Sequence, residues 1–352
     1  MVDKNLFLHD LAIVAIMKNE GPYLKEWLDY HLLAGVDHFY LYDNESPDNQ
    51  AEVAAPYVKA GLVDYIPAPG KAAQMFTYND AVRNFRFFSR YISFIDGDEF
   101  IFPKTQWGGC IIDIVDEVLS HDPNAAGLAI HWQFFGSNGQ EEADYSRGVL
   151  ERFTRCAQNM NEHVKTVANP RTIRFFENPH YATYFEGFYS INENGGIVTG
   201  PFNEHGTAEK IVINHYHSKS KEEYAKKVKR GNADFADNRY SMKNFDHDKD
   251  NDEFDDGILK YQRLRVESYV QPPPFERERY YKILEETLLP LVRAMEPDEN
   301  FQGKLEMFLT CRALAAMLRR RYPNDKRGYQ LEDAALVAIN KAHATRLALH
   351  EV

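Results

Sequence analysis

The 352-residue sequence predicts an α/β protein, with a Rossmann-like, mostly parallel central sheet over residues 1–245 and a C-terminal α-helical extension over 246–352. Three observations predict it. Strand and helix patterns alternate through the first hundred residues, which implies parallel pairing with right-handed crossovers. The first strand pattern is an unbroken apolar run, as expected of a strand covered on both faces. From Ile258 onward the pattern is helical.

LAIVAIM (11–17) is the first strand, and Lys18-Asn19-Glu20-Gly21-Pro22 breaks it. Pro22 suits the first turn of a helix, where its missing N–H costs nothing. Tyr23, Leu24, Trp27, Leu28, His31 and Leu32 recur at helical spacing, and Gly35 is placed to cap that helix. VDHFYLY (36–42) is the second strand. Asp43-Asn44-Glu45-Ser46-Pro47-Asp48 is a loop of turn and capping residues, followed by a helix over 50–59 with Gly61 at its end. LVDYI (62–66) is the third strand, and a longer helix covers 72–90. YISFI (91–95), the fourth strand, runs directly into Asp96-Gly97-Asp98-Glu99-Phe100.

The middle is less regular. GLAIHWQFF (127–135) reads as a strand, 150–160 as a helix and 163–173 as extended chain. KIVINHYHSKS (210–220) is a strand leaving into a polar loop, and 222–230 is a basic helix closed by Gly231. The charge run over 246–253 reads as a solvated loop. It is not a calcium loop, because Asn251 stands where the turn glycine belongs and Gly257 where the final glutamate belongs. Amphipathic helices are predicted over 305–321 and 331–349.

A net charge of −12 argues against a general nucleic-acid binder, which carries a basic footprint. Cys110, Cys156 and Cys311 are scattered without metal-ligand spacing, which points to a reduced, cytoplasmic setting. The opening MVDKNLFLHD lacks the basic region of a signal peptide, and no apolar run approaches the roughly 20 residues that span a bilayer. No transmembrane segment is expected, so any membrane contact is peripheral, at the inner face.

In open α/β sheets ligands bind at the C-terminal strand edges. The loops 18–22, 43–48 and 96–100 all fall there. Asp96 and Asp98 are one residue apart at a strand end, between apolar runs, and can aim at one point. Two carboxylates carried into a cleft need a cation, and a hard divalent ion such as Mn²⁺ or Mg²⁺ satisfies them while bridging two phosphates. The alternative is a turn or a helix N-cap. His215 and His217 alternate along the late strand and can share one face. They are either hydrogen-bonded core residues or contributors to the same metal and diphosphate site, with Lys219 and Lys221 beside them. Asp43 either accepts hydrogen bonds from a ribose or base, or serves the helix cap beside it. Lys18, Asn19 and Glu20 are placed to line the same pocket, and Asn44 and Arg83 are further candidates for donor binding. Trp132 either stacks on a sugar or fills the core. No G-x-G-x-x-G, P-loop or G-x-S-x-G is present.

Three stretches, IVAIMKNEGPYLKEWLDYHLLAGVDHFYLYDNES, FIDGDEFIFP and INHYHSKSKEEYAKKVKRG, together resemble the family 2-like and family 92-like glycosyltransferases of the GT-A fold. The likeness runs over about residues 11–231, in the order K-N-E loop, Y-D-N-x-S loop, D-x-D-E-F and H-Y-x-x-K-S. Gly97 departs from the apolar residue common at the centre of the acidic motif. The resemblance implies a UDP-linked sugar donor and a divalent cation, Mn or Mg, held by Asp96 and Asp98, with His215 as the further ligand. It places Lys18, Asn19, Glu20, Asp43, Asn44, Gly97 and Lys219 around the donor. It also implies inversion at the anomeric centre, which needs a carboxylate base. Glu151 and Asp144 fall in the acceptor segment, although a helix-surface acid explains each equally well.

The expected activity is therefore metal-dependent transfer of a hexose to a carbohydrate or glycolipid acceptor, in assembly of a bacterial surface polysaccharide. A homo-oligomer is compatible with the helical extension. Two alternatives stand beside it. One is a non-catalytic nucleotide-sugar or carbohydrate binder of the same fold. The other is a phosphohydrolase using Asp96 as nucleophile, although such enzymes place their Asp-x-Asp after the first strand.

Overall fold

The computed structural model describes residues 7–105, 108–204, 206–231, 240–246, 249–268 and 277–290, with 311, 314–315, 318, 324–331 and 333–337 beyond them. The first half alternates as expected: β1 (His9–Met17), α1 (Gly21–Leu33), β2 (His38–Asp43), α2 (Gln50–Lys59), β3 (Val63–Pro67), α3 (Gln74–Phe85) and β4 (Ser89–Phe94). β5 (Glu99–Pro103), α4 (Ile111–Leu119), β6 (Ala125–Phe134), α5 (Val149–Arg152), β7 (Arg155–Cys156) and β8 (Asn161–Ala168) follow. Short strands β9 (Ile173–Asn178), β10 (Tyr181–Tyr184), β11 (Tyr189–Ile191) and β12 (Ile197–Val198) precede β13 (Ile211–His215) and α6 (Lys221–Arg230). β14 (Glu253–Phe254) and α7 (Gly257–Ser268) come next.

Hydrogen bonding orders the sheet β12–β11–β6–β8–β4–β1–β2–β3, with β13 joined to both β6 and β5. β1, β2 and β3 run parallel, as β6 does with β11 and β13. β8 enters antiparallel between β4 and β6, and β5 pairs antiparallel with β13. The α/β class is as the sequence predicts, and the antiparallel strands are confined to the second half of the sheet.

α1 fixes the position of the acidic turn. Its Trp27 indole donates to Glu99 O at 2.9 Å and its Tyr30 hydroxyl to Ile101 O at 2.9 Å, both on β5. The wholly buried His31 bonds Trp27 O through Nδ1 (2.8 Å) and faces the Ile101 N–H with Nε2 (3.3 Å). Burial pushes its pKa down to about 3, so it remains a neutral structural residue. Past the end of α1, Gly35 has φ +96°, and a Cβ there would lie 2.7 Å from that of Cys110. Only glycine fits.

Two expectations are corrected in detail. The helix predicted over 72–90 stops at Phe85, because the chain is taken up by β4 from Ser89. The helix predicted over 150–160 shrinks to the single turn α5. Gly136 donates to Arg155 O at 3.0 Å and Ala157 to Phe134 O at 2.9 Å, so this segment pairs with chain leaving β6 instead of coiling.

The described chain divides into two compact units. The unit comprising residues 10–82 and 91–272 carries the sheet. It continues past residue 245: β14 pairs with β7, and α7 places the Tyr261 hydroxyl 2.6 Å from Gly109 O and Arg265 Nε 2.7 Å from Leu33 O. The other unit comprises residues 1–9, 83–90 and 273–352 and includes α8 (Arg277–Lys282). There Tyr281, Leu284, Leu289, Cys311, Leu314 and Leu318 are buried, and Arg327 bonds Glu278 at 2.9 Å and Glu285 at 3.0 Å over the Tyr281 ring. Most of the helices predicted over 305–321 and 331–349 lies outside the described residues. Among the described residues no helix is long and apolar enough to cross a membrane.

α6 is anchored by a buried ion pair. Ser220 caps it, and Glu223 returns to the Ser220 N–H at 3.0 Å in a reciprocal box. The same carboxylate takes two bonds from Arg152, at 2.6 and 3.0 Å, and one from the Tyr23 hydroxyl at 2.9 Å. Burial alone would raise the Glu223 pKa, but Arg152 and Ser220 overcome it and hold it at about 2. A depressed carboxylate stabilises the fold above its unfolded pKa and loses that contribution as pH falls through its folded one. Glu223→Gln should therefore cost about 3 kcal/mol in urea melts at pH 7. The gap from the parent should narrow as pH is lowered from the ordinary value of 4.5 towards 2.

Candidate active site

The loops after β1, β2 and β4 converge with the end of β13 and one face of α6 on a cleft of about 650 Å³. Lys18, Glu20, Asn44, Asp96, Gly97, Asp98 and His215 all line it. The acidic turn forms its floor. Asp96 receives the Glu99 N–H at its carbonyl (3.2 Å), and its own N–H donates to the Glu99 carboxylate (3.1 Å). At Gly97 a Cβ would sit 3.3 Å from the end of Met17 and 3.4 Å from the Glu20 side chain, so glycine lets the first loop close over the turn.

The two aspartates have different partners. Asp96 accepts Gln74 Nε2 at 2.8 Å and Lys165 Nζ, from β8, at 2.9 Å. Asp98 accepts Lys227 Nζ, from α6, at 2.7 Å and faces His215 Nε2 at 3.4 Å. Burial would raise the pKa of both. Lys165 beside Asp96, and Lys227 with His215 beside Asp98, outweigh that and keep both ionised. Glu99 is fully buried, 3.7 Å from Lys165, and burial drives its pKa well above the usual range. Lys165 therefore serves Asp96 as an ion and Glu99 as a neutral acid.

β13 delivers the histidines. His215 lies opposite Glu99 on β5 and Phe134 on β6. Burial lowers its pKa, so the imidazole is neutral, and its Nδ1 has no hydrogen-bond partner among the described residues. His217 also lines the cleft, its ring centroid 5.5 Å from that of His215. Lys227, then burial, depresses its pKa well below 6.5. Trp132 and Phe134 complete an aromatic wall, their ring centroids 4.4 and 5.2 Å from His215.

The donor set at the floor, a neutral imidazole facing an ionised carboxylate, fits a divalent cation. The three-ligand arrangement expected from Asp96, Asp98 and His215 is not assembled, because Lys165 and Gln74 hold Asp96. Among the described residues no group of three or more His, Cys, Asp or Glu stands together as a metal site.

The other candidates divide. Asn44 lines the cleft and donates to Ala68 O at 2.7 Å and Gly70 O at 2.8 Å. Asp43 does not line it, and instead accepts Ser46 N–H at 3.2 Å and Gln50 Nε2 at 3.0 Å, which orders the loop before α2. Asn19, with φ 57°, and Lys219, with φ 52° and its ammonium 4.3 Å from the Tyr23 ring, line a second cavity of about 640 Å³. That cavity shares Lys18, Glu20, His217, Lys227, Lys229 and Arg230 with the first. Arg83 is exposed on the last turn of α3 and lines neither cavity. Asp144, bonded to Ser146, and Glu151, paired with Arg147 at 3.0 Å, are also exposed and line neither. Sequence reasoning missed Lys165, Lys227, Arg230 and Gln74. For α6 a signal existed, since Lys227 and Arg230 stand three apart on one face of a helix already read as basic.

A model of glycosyltransferase family 92 matches residues 15–256. A family 92 protein of Ricinus communis is 27% identical over 211 residues, covering 59% of this chain and 35% of the relative. One of Oryza sativa subsp. japonica is 24% identical over 213 residues, covering 59% and 33%. The chain thus spans about a third of the length of the curated relatives it matches. Among solved structures, S. aureus TarS 1–349 in complex with UDP aligns at 9% identity over 96% of this chain and 92% of that one, with a TM-score of 0.32. Glucosyl-3-phosphoglycerate synthase from Mycobacterium tuberculosis, in complex with Mn²⁺, UDP and glucosyl-3-phosphoglycerate, aligns at 14% identity over 35% and 44%, with a TM-score of 0.26.

Lys165→Met would leave the half-buried Asp96 and the buried Glu99 without the ammonium between them. The expected outcome is a loss of about 3–5 kcal/mol in chemical denaturation at pH 7. Unchanged stability would show that Lys165 does not carry the acidic turn.

Proposed function

Because the chain belongs to glycosyltransferase family 92, we propose that its cleft binds a nucleotide-diphosphate sugar, with uridine as the base, and transfers the hexose to a hydroxyl of a carbohydrate acceptor. The observation that carries this reading is the ionised Asp98 facing the neutral His215 on the cleft floor, 3.4 Å apart. Asp98 and His215 would hold a divalent cation, Mn²⁺ or Mg²⁺. When bound, such a cation supplies positive charge to the diphosphate as it departs, without proton transfer.

The chain's own residues perform the rest. Asn44, Glu45, Gly70 and Lys71, which line the cleft, receive the nucleoside. Lys18 and Lys229 present ammonium groups with no ionic partner among the described residues, and both line the two cavities. They meet the donor's negative charge. Arg230 bonds the Lys18 carbonyl at 2.8 Å and the Glu20 carboxylate, which holds the first loop in place. The aromatic wall of Trp132 and Phe134 offers apolar faces to the hexose. The second cavity, walled by Tyr23 and Tyr145, takes the acceptor, and the shared residues mark where the two substrates meet.

Asp98→Asn and His215→Ala should each lower Mn²⁺-dependent hydrolysis of UDP-hexoses by about 10²–10³-fold, the loss of several kcal/mol of charge stabilisation. Melting temperatures within a few degrees of the parent would confirm that the fold survives. Hydrolysis at the parental rate in both variants would refute the assignment.

A further inference from the structure

The Asp98 carboxylate is already neutralised, by a lysine from a distant helix. Lys227 Nζ sits 2.7 Å from Asp98 Oδ2 and 3.1 Å from the His217 carbonyl, at 9% exposure, with the Tyr240 ring centroid 5.2 Å away. The other oxygen of the same carboxylate faces His215. An ammonium and a divalent cation cannot share one carboxylate without strong mutual repulsion at such short range. We propose that Lys227 is an exchangeable counter-ion: it occupies Asp98 while the cation is away and moves to the donor diphosphate when the cation binds. The inference rests on the donor and cation reading above and assigns Lys227 a role within it.

Three features support the exchange. Lysine is a point charge on a flexible four-carbon stem, so it can swing within one cleft, whereas a guanidinium is fixed by its fork. Arg230, one turn along α6, is held through Nη1 between the Lys18 carbonyl and Glu20. Lys227 also lines both cavities, so a small rotation of its stem keeps it within the space assigned to the diphosphate. Finally, α6 itself is held by the Arg152–Glu223 pair, so the stem can move without the helix following. Cation binding and nucleotide binding then favour each other, since the cation releases Lys227 from Asp98 to the diphosphate and the diphosphate draws Lys227 away from the carboxylate that the cation needs. By linkage that coupling is reciprocal.

The test compares the parent with Lys227→Met, Lys227→Arg and a charge control, Lys226→Met, whose ammonium pairs with Glu222. Mn²⁺ alone is titrated by electron paramagnetic resonance of the free ion. UDP at saturating Mn²⁺ is titrated by calorimetry, and melting curves establish that each variant is folded. Lys227→Met should bind Mn²⁺ alone about tenfold more tightly than the parent and UDP about tenfold more weakly, each the size of one modest coupling. Lys227→Arg, whose fork stays on Asp98, should bind Mn²⁺ no more tightly than the parent and should not recover the UDP affinity, and Lys226→Met should change neither. Unchanged Mn²⁺ affinity in Lys227→Met, or the same tightening in Lys226→Met, overturns the exchange while leaving the donor reading intact. A parent that takes up neither Mn²⁺ nor UDP overturns the donor reading and the exchange with it.

Discussion

Two ionised carboxylates cannot be withdrawn from water at the end of a strand unless positive charge meets them there. In this chain that charge comes from far along the sequence. Lys165 reaches Asp96 from β8, and Lys227 reaches Asp98 from α6. The antiparallel insertion of β8 beside β4 serves this need, because it lays a lysine-bearing strand along the strand that ends in the acidic turn. The capping box and the Glu223–Arg152 pair do the equivalent for α6. Much of the second half of the fold can thus be understood as the support of a single charged loop.

The two lysines are not equivalent. Lys165 is sealed at 0% exposure between one ionised and one neutral acid, so it acts as a permanent part of the frame. Lys227 stands at the cleft wall, where a ligand can reach it. The same residue type serves as scaffold in one place and as a mobile charge in the other. Burial and the number of carboxylates faced make the difference.

The sheet and the three converging loops were legible because strand ends announce themselves in sequence: an apolar run stops and turn residues begin. The boundaries of α2, 50–59, were read correctly for that reason. Asp96, Asp98 and His215 were singled out together because each stands where an apolar run gives way to polar residues, and only Asp98 and His215 face each other. Lys165 was not, because a lysine within an alternating strand looks like a solvent-facing position, and only the antiparallel pairing of β8 with β4 turns it inward. Asp144 and Glu151 were chosen by their place in the chain between recognised motifs, and proximity in sequence does not bring a side chain to a cleft. Asp43 illustrates a different ambiguity. Its carboxylate is equally suited to a ligand and to a neighbouring loop, and Gln50, seven residues on, settles it for the loop.

The ladder between β5 and β13 sets His215 directly opposite Glu99, with Asn214 opposite Phe100. Side chains alternate across a strand, so sliding one of these strands by a single residue would turn the imidazole to the far side of the sheet and bring an amide in its place. The ladder therefore works as a ruler that measures the gap between acid and imidazole. The buried aromatic residues along it, Phe100 and Phe102, do more than fill space: they keep that ruler from slipping.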